Sequence, residues 1–94
     1  MIPFTCYNIK YDKHPVEKWI IVRGEIKNDS ARSLSTAVFR VKLLIGHMPI
    51  GTAILKIRGF RERRTSSFEV MVEDAHRDLI PKITGCEITY ESGF

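Results

Sequence analysis

No apolar run in this chain approaches the roughly 18 residues that a membrane-spanning helix requires. The longest, Trp19–Val22 and Val41–Gly46 (the latter interrupted by Lys42), are of strand length. No membrane insertion is expected. The first ten residues, Met1–Lys10, contain no charged segment leading into an apolar one, so no signal peptide is read there. The chain as given is therefore expected in the cytoplasm. Excised from a longer exported protein, it would be a cell-envelope domain. Glycine and proline together supply only 10 of 94 residues, which excludes collagen-like and low-complexity architectures. Cysteine is also scarce. Cys6 and Cys86 lie 80 positions apart and neither belongs to a Cys-x-x-Cys pair, so a zinc ribbon or thioredoxin-type site has no basis. The two are expected as small buried side chains. The alternative is a disulfide joining the first and last strands.

The constellations that carry chemistry are missing as well. His14, His47 and His76 are widely spaced, and none has a second ligand at metal-binding spacing. No Gly-x-Ser-x-Gly elbow surrounds any of the serines. Gly46 and Gly51 are not followed by the Lys-Ser/Thr of a phosphate-binding loop. Glu73, Asp74 and Asp78 cluster on one polar segment, as a solvated acidic loop would. No catalytic residue, metal or cofactor is expected, and the chain reads as a non-enzyme.

What the sequence does have is alternation. Ile20, Val22, Gly24 and Ile26 fall on one face of a strand, with Arg23, Glu25 and Lys27 on the other. Thr36–Ile45 places Ala37, Phe39, Val41, Leu43 and Ile45 opposite Val38, Arg40, Lys42 and Leu44. Ile50–Arg58, Ser67–Glu73 and Ile83–Glu91 continue the pattern. Phe4–Tyr11 is a further strand whose inward register the sequence leaves open. Asn28–Ser33 has turn composition, and the glycine-bracketed Gly46–Gly51 reads as a hairpin connection. Only Glu73–Leu79 suggests a helical turn, with Asp74 as its cap and Pro81 beyond its end. The expected fold is all-β: a single immunoglobulin-like antiparallel β-sandwich of six to seven strands over residues 1–94, with a small barrel as the competing architecture. Two residues are assigned structural roles. Gly24 within a strand implies a close approach, with Trp19 or Phe39 filling the space above it. Asn28 nucleates the following turn.

The string Val22-Arg-Gly-Glu-Ile-Lys-Asn-Asp-Ser30, followed by the alternating strand through Leu44, Gly46, Ile50-Gly-Thr52 and Ser67-Phe-Glu-Val70, resembles the FxLYD-type domains. These are bacterial and archaeal immunoglobulin-like β-sandwiches, and the resemblance spans residues 20–90. It departs from the family pattern at Leu44 and Ile45, which replace an aromatic–acidic pair. It departs again at the basic run ending at Arg64, which replaces a Pro-Gly. The resemblance implies a non-catalytic module and brings no active site.

The formal charge is +4, but it is unevenly placed. Residues 51–64 carry five cations and one anion, whereas residues 65–94 carry two cations and six anions. The basic segment is Lys56-Ile-Arg-Gly-Phe-Arg-Glu-Arg-Arg64. Arg58, Arg61, Arg63 and Arg64 form the expected contact loop for a protein partner of acidic character. Phe60 either inserts into that partner or folds back as a lid on the core. His47 and Met48 at the hairpin tip form a second contact element. Three functions are read from this: a protein–protein interaction or assembly module, a nucleic-acid-binding module using the same arginines on phosphates, and a protease-inhibitor-like sandwich. Outward apolar residues Val38, Leu44, Ile54 and Met71 would serve a homo-oligomer. The acidic C-terminal third offers a competing fate for the arginines, namely neutralisation across the sheet.

Overall fold

The computed structural model describes residues 2–94. The protein is all-β, with six strands in two antiparallel sheets. In chain order the strands are β1 (Phe4–Lys13), β2 (Ile20–Asn28), β3 (Leu34–Ile45), β4 (Met48–Phe60), β5 (Thr65–Val72) and β6 (Gly85–Gly93). One sheet has the order β1-β2-β5 and the other β4-β3-β6. The sheets stack with their apolar faces together. Phe4 of β1 meets Phe39 of β3 edge to face at a centroid distance of 4.9 Å, and Tyr90 of β6 meets the same ring at 5.7 Å.

The period-two pattern decides which side chains enter the core. Ile20, Val22 and Ile26 of the central strand β2 are fully buried, as are Ala37, Phe39, Val41 and Leu43 of the central strand β3. Between them Arg23, Arg40 and Lys42 project outward. Strand β1 obeys the rule only in halves. Phe4 and Cys6 pack inward, then a bulge between Tyr7 and Lys10 shifts the parity, and Ile9 and Tyr11 pack inward after it. Asn8 occupies the bulge with φ 53°, a left-handed conformation that asparagine tolerates better than most residues.

The bulge also explains Gly24. A Cβ at Gly24 would lie 2.6 Å from Ile9 Cδ1 and 3.0 Å from Phe68 Cζ. The space above Gly24 is thus filled by Ile9 and Phe68, and not by the expected Trp19 or Phe39.

Two local expectations are corrected. The charged segment expected over Gly59–Ser66 shrinks to four residues, because β4 runs on to Phe60 and β5 begins at Thr65. The helical turn lies further along than Glu73–Leu79. It is a 3₁₀ helix over Arg77–Lys82 that contains Pro81. His76 caps it, its Nδ1 accepting from Asp78 N–H at 3.1 Å. Asp74 instead accepts a hydrogen bond from Thr52 N–H at 3.0 Å and so holds β4 to the segment after β5.

Candidate interaction surface

The arginine loop is a short turn pinned at both ends. Gly59 sits at φ 64°, a left-handed conformation that favours glycine. It lets the chain leave the inward/outward alternation of Leu55 and Ile57, so that the next side chain turns back into the core. That side chain is Phe60. It is fully buried and packs edge to face on Phe39 at 5.7 Å. Its assignment as a partner contact is therefore corrected: the ring is a core residue that anchors the loop behind it.

The turn Arg61–Arg64 then closes on itself and on Asn28. Arg61 N–H donates to Gly59 C=O at 2.9 Å, and Arg64 N–H to Arg61 C=O at 3.2 Å. Arg63, at φ 60°, donates its N–H to Asn28 C=O at 2.8 Å, while Asn28 N–H donates to Arg64 C=O at 3.0 Å. The Asn28 side chain is wholly buried. Its Nδ2 donates to Arg32 C=O at 2.7 Å and to Phe60 C=O at 3.1 Å. Its Oδ1 accepts from Ser30 N–H at 3.0 Å and Ser30 Oγ–H at 2.6 Å. Every donor and acceptor of the amide that can be used is used. One buried residue thus ties the 29–33 turn, the end of β4 and the arginine turn into one unit. Glu62 N–H donates to Ser33 Oγ at 3.1 Å and adds a further tie.

The loop's cations form no ion pair with the protein's own carboxylates among the described residues, although Glu62 lines the same cleft as Arg61 and Arg64. Arg58, Arg61, Arg63 and Arg64 are all exposed. Three carboxylates of the acidic C-terminal third are engaged elsewhere. Glu69 pairs with Arg23 at 2.8 Å, Glu91 pairs with Arg40 at 2.7 Å, and Asp78 lies 3.6 Å from His76. Arg23 also bonds Asp12. Neutralisation across the sheet therefore falls on the strand-face arginines and leaves the loop alone. Arg61 and Arg64 border a shallow cleft of about 590 Å³ whose other walls include Ser33, Ser35 and Gly59. Exposed Arg32 lies beside it, in the turn that Asn28 clamps. Sequence reasoning did not single out Arg32, Ser33 or Ser35. Their proximity to the loop depends on the pairing of Leu34 with Phe60 across β3 and β4, which no local pattern encodes.

The second expected contact element is not part of this surface. Gly46 and His47 form a two-residue turn at the far end of the β3–β4 hairpin, where Ile45 pairs with Met48. Met48 is 62% exposed. Thirteen residues of β4 separate the two tips, roughly 40 Å at about 3.3 Å per residue, which matches the molecule's 39 Å long axis. Of the apolar residues expected outside, Ile54 and Met71 are exposed and border a shared groove, whereas Val38 and Leu44 are half-buried.

The histidines and cysteines have local occupations. His14 Nδ1 accepts from Val16 N–H at 3.1 Å and Glu17 N–H at 2.9 Å, and its ring lies edge-on to Trp19. No group of three metal-ligating side chains comes together among the described residues. Cys6 and Cys86 are free thiols on the outer strands of opposite sheets, and both are half-buried where full burial was expected. Burial and the neighbouring Cys6 and Glu87 push the Cys86 thiol up to about 11. Burial also raises Cys6. Among the described residues no helix is long and apolar enough to cross a membrane.

No family model, characterised protein or solved structure matches this chain.

Proposed function

We propose that the chain is a non-catalytic, immunoglobulin-like β-sandwich module that docks an acidic protein partner through its arginine end. The strand order supports the architecture. Sheets β1-β2-β5 and β4-β3-β6 follow the A-B-E and C-F groupings of the immunoglobulin sandwich, with β4 in the place beside strand C. The resemblance of residues 20–90 to FxLYD-type domains points the same way and favours a module without an active site.

One observation carries the functional reading. Five exposed arginines, Arg32, Arg58, Arg61, Arg63 and Arg64, lie at one end of the molecule on a backbone that Asn28 and Phe60 hold rigid, and the protein's own carboxylates leave the loop arginines unpaired. Guanidinium groups make charge-assisted, bidentate hydrogen bonds to carboxylates. A pre-ordered loop loses little entropy on binding. Phosphate recognition uses the same groups. Sequence-tolerant single-strand binding also needs aromatic faces to stack bases, and the loop's one aromatic ring is in the core. That favours carboxylate over nucleic acid.

The test is affinity capture from native lysate with wild-type protein and with the combined Arg61→Glu, Arg63→Glu, Arg64→Glu variant. Retained partners should be acidic proteins, lost from the variant and insensitive to nuclease. Partners that persist on the variant, or that vanish with nuclease treatment, would refute the proposal.

A further inference from the structure

The stacked sheets are closed along one side and only partly covered along the other, where the 3₁₀ segment packs against β1 and sets Ile80 and Ile83 against the core. On the β4/β5 side the core reaches the edge: Leu55, Ile57, Phe60, Phe68 and Val72 are at most 7% exposed. On the opposite side β1 and β6 are the outer strands of their sheets and do not pair with each other. The inward row of β6 is Cys86, Ile88 and Tyr90, and all three remain half-buried. Their cross-strand partners Leu43, Val41 and Phe39 are fully buried. β1 shows the same fall-off, from buried Ile26 and Val22 to half-buried Cys6 and Tyr11. Apolar or aromatic side chains stand at each of these positions, small at Cys6 and Cys86 and large at Tyr11, Ile88 and Tyr90, so the exposure is not due to polar residues. The β6 ladder with β3 is regular from Gly85 to Tyr90 and shifts register only beyond it. Its free flank therefore presents the unpaired backbone N–H and C=O groups of alternate residues over this six-residue stretch.

An exposed apolar row and an unpaired strand edge at one place are both satisfied by a further strand. We propose that the β6 edge accepts an extended segment of a partner protein, aliphatic at the alternate positions that face the seam and carrying lysine or arginine at those between. The charge pattern selects the partner. Glu87, Thr89 and Glu91 form the outward row of β6. Glu91 bonds Arg40, but Glu87 has no ion pair among the described residues although Lys42 lies opposite in register. A docked strand places its outward side chains directly beside these carboxylates, where opposite charge stabilises and like charge destabilises. The same row disfavours a second copy, because antiparallel β6–β6 pairing brings the two sets of glutamates opposite or diagonal to one another. This surface meets the arginine end only where Tyr90 and Arg32 line one cleft, and Glu87 and the arginines of 58–64 share none, so either proposal can fail alone.

The experiment uses the isotopically labelled wild-type chain and blocked synthetic peptides of about ten residues. One alternates valine with lysine and the other valine with glutamate. The valine–lysine peptide should slow amide exchange at alternate residues of 85–90, shift the resonances of that stretch, and slow maleimide labelling of Cys86. The valine–glutamate peptide should bind roughly tenfold more weakly from two reversed charge contacts. No exchange protection on β6 at about 1 mM peptide, equal binding of both peptides, or shifts confined to Arg58–Arg64 would each overturn the proposal. So would protection of β6 without peptide together with a concentration-dependent dimer in light scattering.

Discussion

Replacing Asn28 by alanine tests the clamp on which the arginine surface depends. The truncation removes the bonds to the Phe60 and Arg32 carbonyls and from the Ser30 N–H, leaving Arg32 C=O only the Ser30 hydroxyl at 3.1 Å. The Phe60 bond is buried and the other two are partly buried, and a buried polar group left without a partner costs about 1–3 kcal/mol. With water reaching the outer two, the expected loss is about 3 kcal/mol, a large share of the roughly 5–15 kcal/mol typical of a small domain. At roughly 4–8 °C per kcal/mol for a chain of this size, the melting temperature should fall by about 12–24 °C. Asn28→Asp should be worse at neutral pH, since it keeps the acceptor for Ser30 but turns a carboxylate toward two carbonyls. Burial there would raise the folded-state pKa of the introduced carboxyl above its unfolded value. The folded form then holds the proton more tightly, so the stability of this variant should recover as pH falls through that raised pKa and diminish as pH rises. Urea denaturation at pH 7 and pH 4, with amide spectra of residues 61–64, measures all of this. A loss for Asn28→Ala below about 0.5 kcal/mol, the range of a neutral surface substitution, would refute the clamp.

Three further outcomes follow from the packing and the titrations. Gly24→Ala should cost about 1–3 kcal/mol through overlap with Ile9 and Phe68, and Ile9→Val should return part of that loss in a double-mutant cycle; strict additivity would show that the two residues do not meet. Cys86 should react with maleimide slowly at pH 8 and with a midpoint near 11, whereas a midpoint in the ordinary thiol range would place it in solvent. Because its folded pKa lies above the ordinary 9.0, the stability it contributes is complete below about pH 9 and should be lost as pH rises toward 11. Charge reversal at Arg61, Arg63 and Arg64 should leave the melting temperature unchanged, since these side chains have no partner to lose; a large drop would mean that they do.

The central strands were legible because one face of each is buried and the other, Ile21 apart, is not, so Ile20–Ile26 and Ala37–Leu43 spell out period two. The outer strand β1 was not, because the Asn8 bulge reverses its parity and no fixed alternation fits both halves. Phe60 misled for a related reason. It falls on the outward parity of β4, and only the left-handed Gly59 turns it in. The arginines could be read as a charged segment, but their direction could not. Which carboxylates neutralise which cations is decided by cross-strand register, as in the pairs of Arg23 with Glu69 and Arg40 with Glu91. Asn28 was readable as a turn former. Its bond to Phe60 spans 32 positions and appears only once the sheets are stacked.

The central claim, a rigid and unneutralised arginine end that takes carboxylates, is tested most directly by titrating the labelled chain with a glutamate-rich peptide and, separately, with a single-stranded oligonucleotide. The account predicts saturable peptide shifts confined to Arg32 and residues 58–64, abolished by charge reversal, with weaker binding of the oligonucleotide. No shifts at that end, or tighter binding of the oligonucleotide than of the peptide, would contradict it.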